Sequence, residues 1–192
     1  MQKRIPGTSI KFTEQARDAA YSVISPVIEA TGGLSLSQLS KLTGLETSTI
    51  QNWIKRGWVA ATVGKKYSDK QVTRILLINM MRGVMKLDDI AFIMTYINGD
   101  VEDTSDDIIP DEALYNLLCR IIFKADENNS YSEKQLSVII DDAVTASAKS
   151  IISDADKLKK ALMIMLLAYR SAYIKNCMEA KLSALIDTET NN

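Results

Sequence analysis

The chain has 192 residues, 46% apolar and 24% charged, a balance that fits one or two folded domains with a sizeable core and excludes a disordered or fibrous chain. It contains no histidine, which removes the commonest metal ligand and the usual neutral-pH acid/base, so histidine-dependent triads and zinc sites are excluded. The net charge of −1 conceals an asymmetry, because residues 34–86 sum to +7 and residues 87–142 to −11; either the basic block faces a polyanion or the two blocks neutralise one another in the fold.

Three prolines and eight glycines leave few breaks, and apolar spacing is helical almost throughout. Thr13 can cap a helix running to about Ile24. Ser25-Pro26 reads as an N-cap followed by proline at the first helical position, opening a short helix that Gly32-Gly33 ends. Three serines have a glutamine three residues on: Ser35 with Gln38, Ser68 with Gln71 and Ser132 with Gln135. Such pairs form capping boxes, which start helices at about residues 36, 69 and 133. Ile50, Trp53 and Ile54 share one face of a short helix that stops at Gly57. Leu87, Ile90, Ala91, Met94 and Ile97 mark a helix ended by Asn98-Gly99; Leu114, Leu117, Leu118, Ile121 and Ile122 mark another. From Asp154 to Ile186 no glycine or proline intervenes, and Ala155, Leu158, Leu162, Leu166, Tyr169, Tyr173, Cys177 and Ala180 form the stripe. Its middle, Ala161 to Tyr169, is apolar all round and should run through a core or an interface. That run is about half of the roughly 20 residues a membrane span needs, and the first residues lack an apolar signal segment, so a cytoplasmic, soluble protein is expected.

The acidic stretch from Gly99 to Pro110 reads as a linker. It divides the chain into an N-terminal helical extension (1–33), a basic unit (34–98) and a helical dimerisation or effector domain (111–192). The informative segment is Leu34 to Met94. A short capped helix ends at Thr43-Gly44, where glycine can take the left-handed conformation of a tight interhelical turn, and a second short helix follows. This is helix-turn-helix spacing, in which the second helix is presented to a DNA groove. Its outward positions are Ser48, Gln51, Asn52 and Lys55, with Thr47 in the first turn; all can hydrogen-bond base edges or phosphates, and none is acidic. After Gly57-Trp58 comes an extended loop with Lys65 and Lys66, which suit the phosphate contacts of a wing. Arg56 and Tyr67 complete the candidate DNA-contacting set.

These residues resemble the MerR-type winged helix-turn-helix. The glycine turn, the second helix, a wing closed by Tyr67-Ser68-Asp69-Lys70 and a later helix opening with Leu87-Asp88-Asp89-Ile90 follow that family's order over about 60 residues. The resemblance implies double-stranded DNA as partner. Departures are Ser48 and Gln51 where that family commonly bears arginine, an acidic linker where its long dimerisation helix begins, and no cysteine cluster for metal sensing. The phrases TGGLSLSQLSKLTGL, TIQNWIKRGW and YINGD are also similar to a bacterial family known only as a domain of unknown function.

Other features read as structural. Trp53 and Trp58 are expected in the core, and Cys119 and Cys177, both on apolar stripes, as buried small hydrophobes. Asp126, Asn128, Ser130 and Ser132 echo a calcium loop, but Tyr131 and Ser137 stand where it needs glycine and glutamate. No metal, cofactor or enzyme activity is expected. The expected fold is all-α: a MerR-like winged helix-turn-helix followed by a helical C-terminal domain. The expected function is sequence-specific transcriptional regulation by a homodimer, with room for a small-molecule or protein effector at the C-terminal helices. The alternative is a protein–protein adaptor that keeps the winged helix as a scaffold.

Overall fold

The computed structural model describes residues 4–62, 64–99, 101, 103, 105–147 and 152–190. Among these are eight α-helices and one two-stranded sheet, in keeping with the all-α class. The chain does not open on the helix expected after Thr13. Thr13 makes no capping bond, and two 3₁₀ turns, Glu14–Ala16 and Ala20–Val23, stand there instead. Tertiary docking overrides the local signal: Tyr21 sends its backbone N–H to Asn116 Oδ1 (2.9 Å), and Ala16, Ala20 and Tyr21 are buried. Helix α1 (Ser25–Thr31) has Pro26 in its first turn as expected, but Ser25 lies inside the helix and Ile24 takes the cap position.

Strand β1 (Leu34–Ser35) leads into α2 (Leu36–Thr43), and α3 (Thr47–Lys55) follows after three residues. Strand β2 (Lys66–Tyr67) then pairs antiparallel with β1, Leu34 opposite Tyr67 and Ser35 opposite Lys66. The remaining helices are α4 (Asp69–Met81), α5 (Leu87–Asn98), α6 (Asp111–Glu127), α7 (Glu133–Thr145) and α8 (Ala155–Thr190). All three expected capping boxes form, so α2, α4 and α7 begin one residue after Ser35, Ser68 and Ser132. In the first, Gln38 N–H donates to Ser35 Oγ (3.3 Å) and Ser35 N–H to Gln38 Oε1 (2.8 Å).

Helices α4 and α6 are buried on most sides and organise the rest, α4 packing on α6, α8, α2 and α5, and α6 on α7 and α8. Residues on both sides of the acidic segment share one hydrophobic cluster reaching from Ile5 to Ala168, and Ile108 and Ile109 of that segment are themselves buried. Asp100 and Glu102, counted in the linker, lie outside the described residues, as do residues 1–3 of the N-terminal extension.

The long helix follows its expected stripe only in part. Leu158, Leu162, Met165 and Leu166 are buried, but Ala155, Tyr173 and Ala180 are exposed, and beyond Ala172 no α8 side chain is buried. The helix outruns the core. The middle run is accordingly two-sided, with Ile164 and Leu167 open to solvent. Cys119 is fully buried, which pushes its thiol pKa up, whereas Cys177, expected to be buried as well, is only half-buried because it lies past that point. No helix among the described residues is long and apolar enough to cross a membrane.

Candidate functional site

Helix α3 is positioned from the inside outward. Ile50 and Trp53 are buried, and Leu45 in the preceding turn is buried with them. The turn itself depends on Gly44, whose φ of +71° is a left-handed conformation disfavoured for residues with a Cβ. Side chains tie it down: Ser40 Oγ donates to the Leu45 carbonyl (2.6 Å), and Thr43 Oγ1 accepts from the Leu45 N–H (3.2 Å). With that inner face anchored, Thr47, Ser48, Gln51, Asn52 and Lys55 are all exposed, together with Arg56 just beyond the helix. The structure thus gathers six of the nine candidate residues on one outward face.

The other three divide. Lys65 is exposed. Lys66 is exposed too, but it sits within β2 and its ammonium donates to the Thr31 carbonyl at the end of α1, so it is partly committed to the fold. Tyr67, expected to contact DNA, is buried against the core, and desolvation pushes its phenol pKa up. Alternation along a strand puts neighbouring side chains on opposite faces, so an outward Lys66 requires an inward Tyr67. Where a wing was expected, β2 pairs back to β1 ahead of α2, tying the starts of α2 and α4 together.

The segment between α3 and β2 is pinned by residues that the sequence reading treated only as a cap and as surface charge. Gln71 sends its amide to the carbonyls of Ala60 (3.0 Å) and Ala61 (2.9 Å) while its oxygen accepts from Ser68 N–H (2.8 Å). Arg74, counted in the basic block, is buried. Its guanidinium meets both carboxylate oxygens of Asp111 (3.2 and 3.4 Å) and reaches the Trp58 carbonyl (3.5 Å). Asn98 joins the same cluster, donating to Asp111 Oδ1 (3.0 Å) and to the Ile109 carbonyl (2.7 Å). A buried cation needs a partner, and a basic residue on an apolar helix face followed by an acid opening another helix is the signal that was available. Trp58, expected in the core, is half-buried, its ring covered by the Arg56 guanidinium 5.2 Å from the ring centre.

Mutual neutralisation of the two charge blocks is therefore real but local. Arg74 pairs with Asp111, and Lys70, whose Nζ donates to the Val101 carbonyl (2.7 Å), lies near enough to Asp103 and Asp107 to pull the pKa of each carboxyl downward. Both cations lie on α4, and the acids nearest the basic block gather there, with Asp107 raised to about 6, first by partial burial and then by Asp111, against the lowering pull of Lys70 and Arg74. The outward face of α3 is left open.

Elsewhere, a shallow apolar cleft lies among α6, α7 and α8, lined by Ile122, Ala125, Leu136 and Leu166. Its polar rim is already engaged: Arg170 pairs with Asp126 (3.1 Å) and its guanidinium lies 3.5 Å from the centre of the Tyr131 ring. Asp126 of the calcium-loop echo is thus held by a cation, and no cluster of metal-binding side chains occurs among the described residues.

The chain is 27% identical over 106 residues to "Uncharacterized protein YkrK" of Bacillus subtilis (strain 168), an alignment that covers 53% of this chain and 46% of that protein. It thus spans about half the length of that relative. No solved structure matches the chain. A family model matches residues 23–118, from the last 3₁₀ turn through α2, α3, the β1–β2 ladder, α4 and α5 into α6. With half of its length matched in this way, the chain belongs to the family described as Domain of unknown function (DUF1836).

Proposed function

We propose that the protein is a sequence-specific DNA-binding regulator in which β1, α2, α3, β2 and α4 act as a winged helix-turn-helix resembling the MerR type. The observation that carries this reading is the outward face of α3. Ser48, Gln51, Asn52 and Lys55 lie at positions i, i+3, i+4 and i+7 on a helix whose opposite side is locked into the core. Amide and hydroxyl side chains in that arrangement match base edges in a major groove, and Lys55, Arg56 and Lys65 supply cations for flanking phosphates. The face carries no carboxylate, which a polyanion would repel. One nine-residue helix reads few base pairs, so the reading calls for two copies on one operator.

The test is binding of the full chain to duplex fragments from its own upstream region, measured at several salt concentrations. Affinity should fall by orders of magnitude between 50 and 200 mM salt, as it does for about 6–10 phosphate contacts. Lys65→Ala should lower the salt slope by about two units, one for each copy on the operator, and Gln51→Ala should cost about 1–3 kcal/mol per copy with relaxed sequence preference. Affinity that is the same at low and high salt would falsify the mechanism. A chain that retains no genomic fragment but captures protein would transfer the reading to the adaptor alternative.

A further inference from the structure

Ahead of the helices the chain forms a small hairpin whose cations the fold leaves unpaired. Arg4 and Lys11 face each other in an antiparallel bridge, and next to it Ile5 N–H donates to the Ile10 carbonyl (3.0 Å). Alternation along the strands turns Ile5 into the core and sets Arg4 and Lys11 side by side on the outer face, both exposed. Like charges directly opposite one another, with Cβ atoms about 5 Å apart, destabilise such a pair. Arg17, further along, is met by Glu14 (2.7 Å) and by Glu127, whereas neither Arg4 nor Lys11 has an ion-pair partner among the described residues. Lys41 of α2, exposed where the hairpin docks, has none there either.

The hairpin is fixed to the turn that presents α3. Ser9 N–H donates to the Leu42 carbonyl (2.7 Å), and Ser9 Oγ donates to the Lys41 carbonyl (2.6 Å). Asn79 Nδ2 of α4 spans both elements, donating to the carbonyls of Gly7 (2.9 Å) and of Thr43, the last residue of α2 (3.0 Å). On the inner side Tyr115 Oη donates to the Pro6 carbonyl (2.8 Å). The hairpin therefore stands beside the N-terminal end of α3, an end with no cation of its own and with the exposed Glu46 at its cap. Lys55 and Arg56 stand at the opposite end. Nine residues make α3 about 13 Å long, and a major groove is about 12 Å wide, so a helix of that length laid in the groove has a phosphate strand near each end. Its own cations reach only one of them. We infer that Arg4, Lys11 and Lys41 form a second phosphate-gripping site, which holds the DNA strand bordering the N-terminal end of α3. This site rests on the DNA-binding reading and adds the N-terminal hairpin to its footprint. A polyanion across the hairpin also relieves the repulsion between Arg4 and Lys11 that the free protein carries.

The full chain and two duplexes, a genomic fragment that the wild type retains and an unrelated sequence of the same length, test the site. Arg4→Gln with Lys11→Gln should lower the salt slope on the retained fragment by about two units per copy, and Lys41→Gln by about one. Phosphate contacts carry no sequence information, so both duplexes should weaken by the same factor, unlike the change of preference expected of Gln51→Ala. Arg4→Lys with Lys11→Arg keeps both charges and should keep the wild-type slope. The double neutralisation should not lower the melting temperature, because it removes a like-charge pair from an exposed face. A steep wild-type slope that Arg4→Gln with Lys11→Gln leaves unchanged would overturn the site and leave the DNA-binding reading standing. A wild type that retains no duplex, or holds it equally at every salt concentration, would end both. Weakening confined to the retained fragment would make the hairpin a reader of bases and overturn the site as well. So would variants that lose binding to anionic phospholipid vesicles while duplex affinity stays intact, which would assign the cations to a membrane surface.

Discussion

Arg74 shows how a single residue changes meaning between sequence and structure. Its side chain is 6% exposed and that of Asp111 5%, so each ion is deprived of water and depends on the other, with Asn98 filling one more acceptor position. Removing one partner of such a pair leaves an uncompensated buried charge, at a cost of about 3–5 kcal/mol. Asp111→Ala should therefore lower stability by that order in urea denaturation, and Arg74→Met combined with Asp111→Leu should recover much of it. Equal losses in the single and double variants would show that the pair is not the cause. Asp107, close by, gives a pH signature. Its folded pKa of about 6 lies above the ordinary aspartate value near 4, so between those values the folded state holds more protons than the unfolded chain. Stability contributed by this group therefore falls as pH rises from about 4 to about 6, and above that window an ionised, partly buried carboxylate persists as a cost. Asp107→Asn should raise the melting temperature at pH 7.5 and leave it unchanged at pH 4; an equal gain at both values would point to another cause.

At the scale of elements, the small ladder between β1 and β2 decides whether α3 is presented correctly, because it joins the entry of α2 to the entry of α4. Gly33, just ahead of β1, makes that close approach workable. Its φ is +109°, and a Cβ there would meet the Tyr67 carbonyl oxygen at 2.9 Å and Lys66 Cβ at 3.0 Å. Both the backbone conformation and the contact exclude a side chain. Gly33→Ala should destabilise the fold by about 1–3 kcal/mol for the conformation alone, and hydrogen exchange at Lys66 and Tyr67 should accelerate beyond that at α6. Uniform acceleration across the protein would mean that the ladder is not a separable unit. The three helices opened by capping boxes started where their serines said they would, since that signal is satisfied within four residues. The helix expected from Thr13 had no comparable pairing, and Tyr21 gave its N–H to Asn116, 95 residues away.

Over the whole molecule, one core extends beneath both charge blocks, which is why their asymmetry survives as a surface property only where burial has not consumed it. Arg74 left the surface, Lys66 turned to a helix end, and Tyr67 joined the core, while α3 kept its polar side outward. The long C-terminal helix follows the same logic in reverse. Its periodicity promised one stripe, but the core ends at Ala172, and a second stripe on the opposite side remains uncovered. Helix identities, most of their ends, the glycine turn before α3 and the polar side of that helix were legible from neighbours within about eight residues, because hydrogen-bond closure and side-chain periodicity act over that range. The fate of a charge, a phenol or an apolar stripe was not, because it depends on which distant surface comes to lie against it. Solvent access is a property of the assembled core, and no local pattern encodes it.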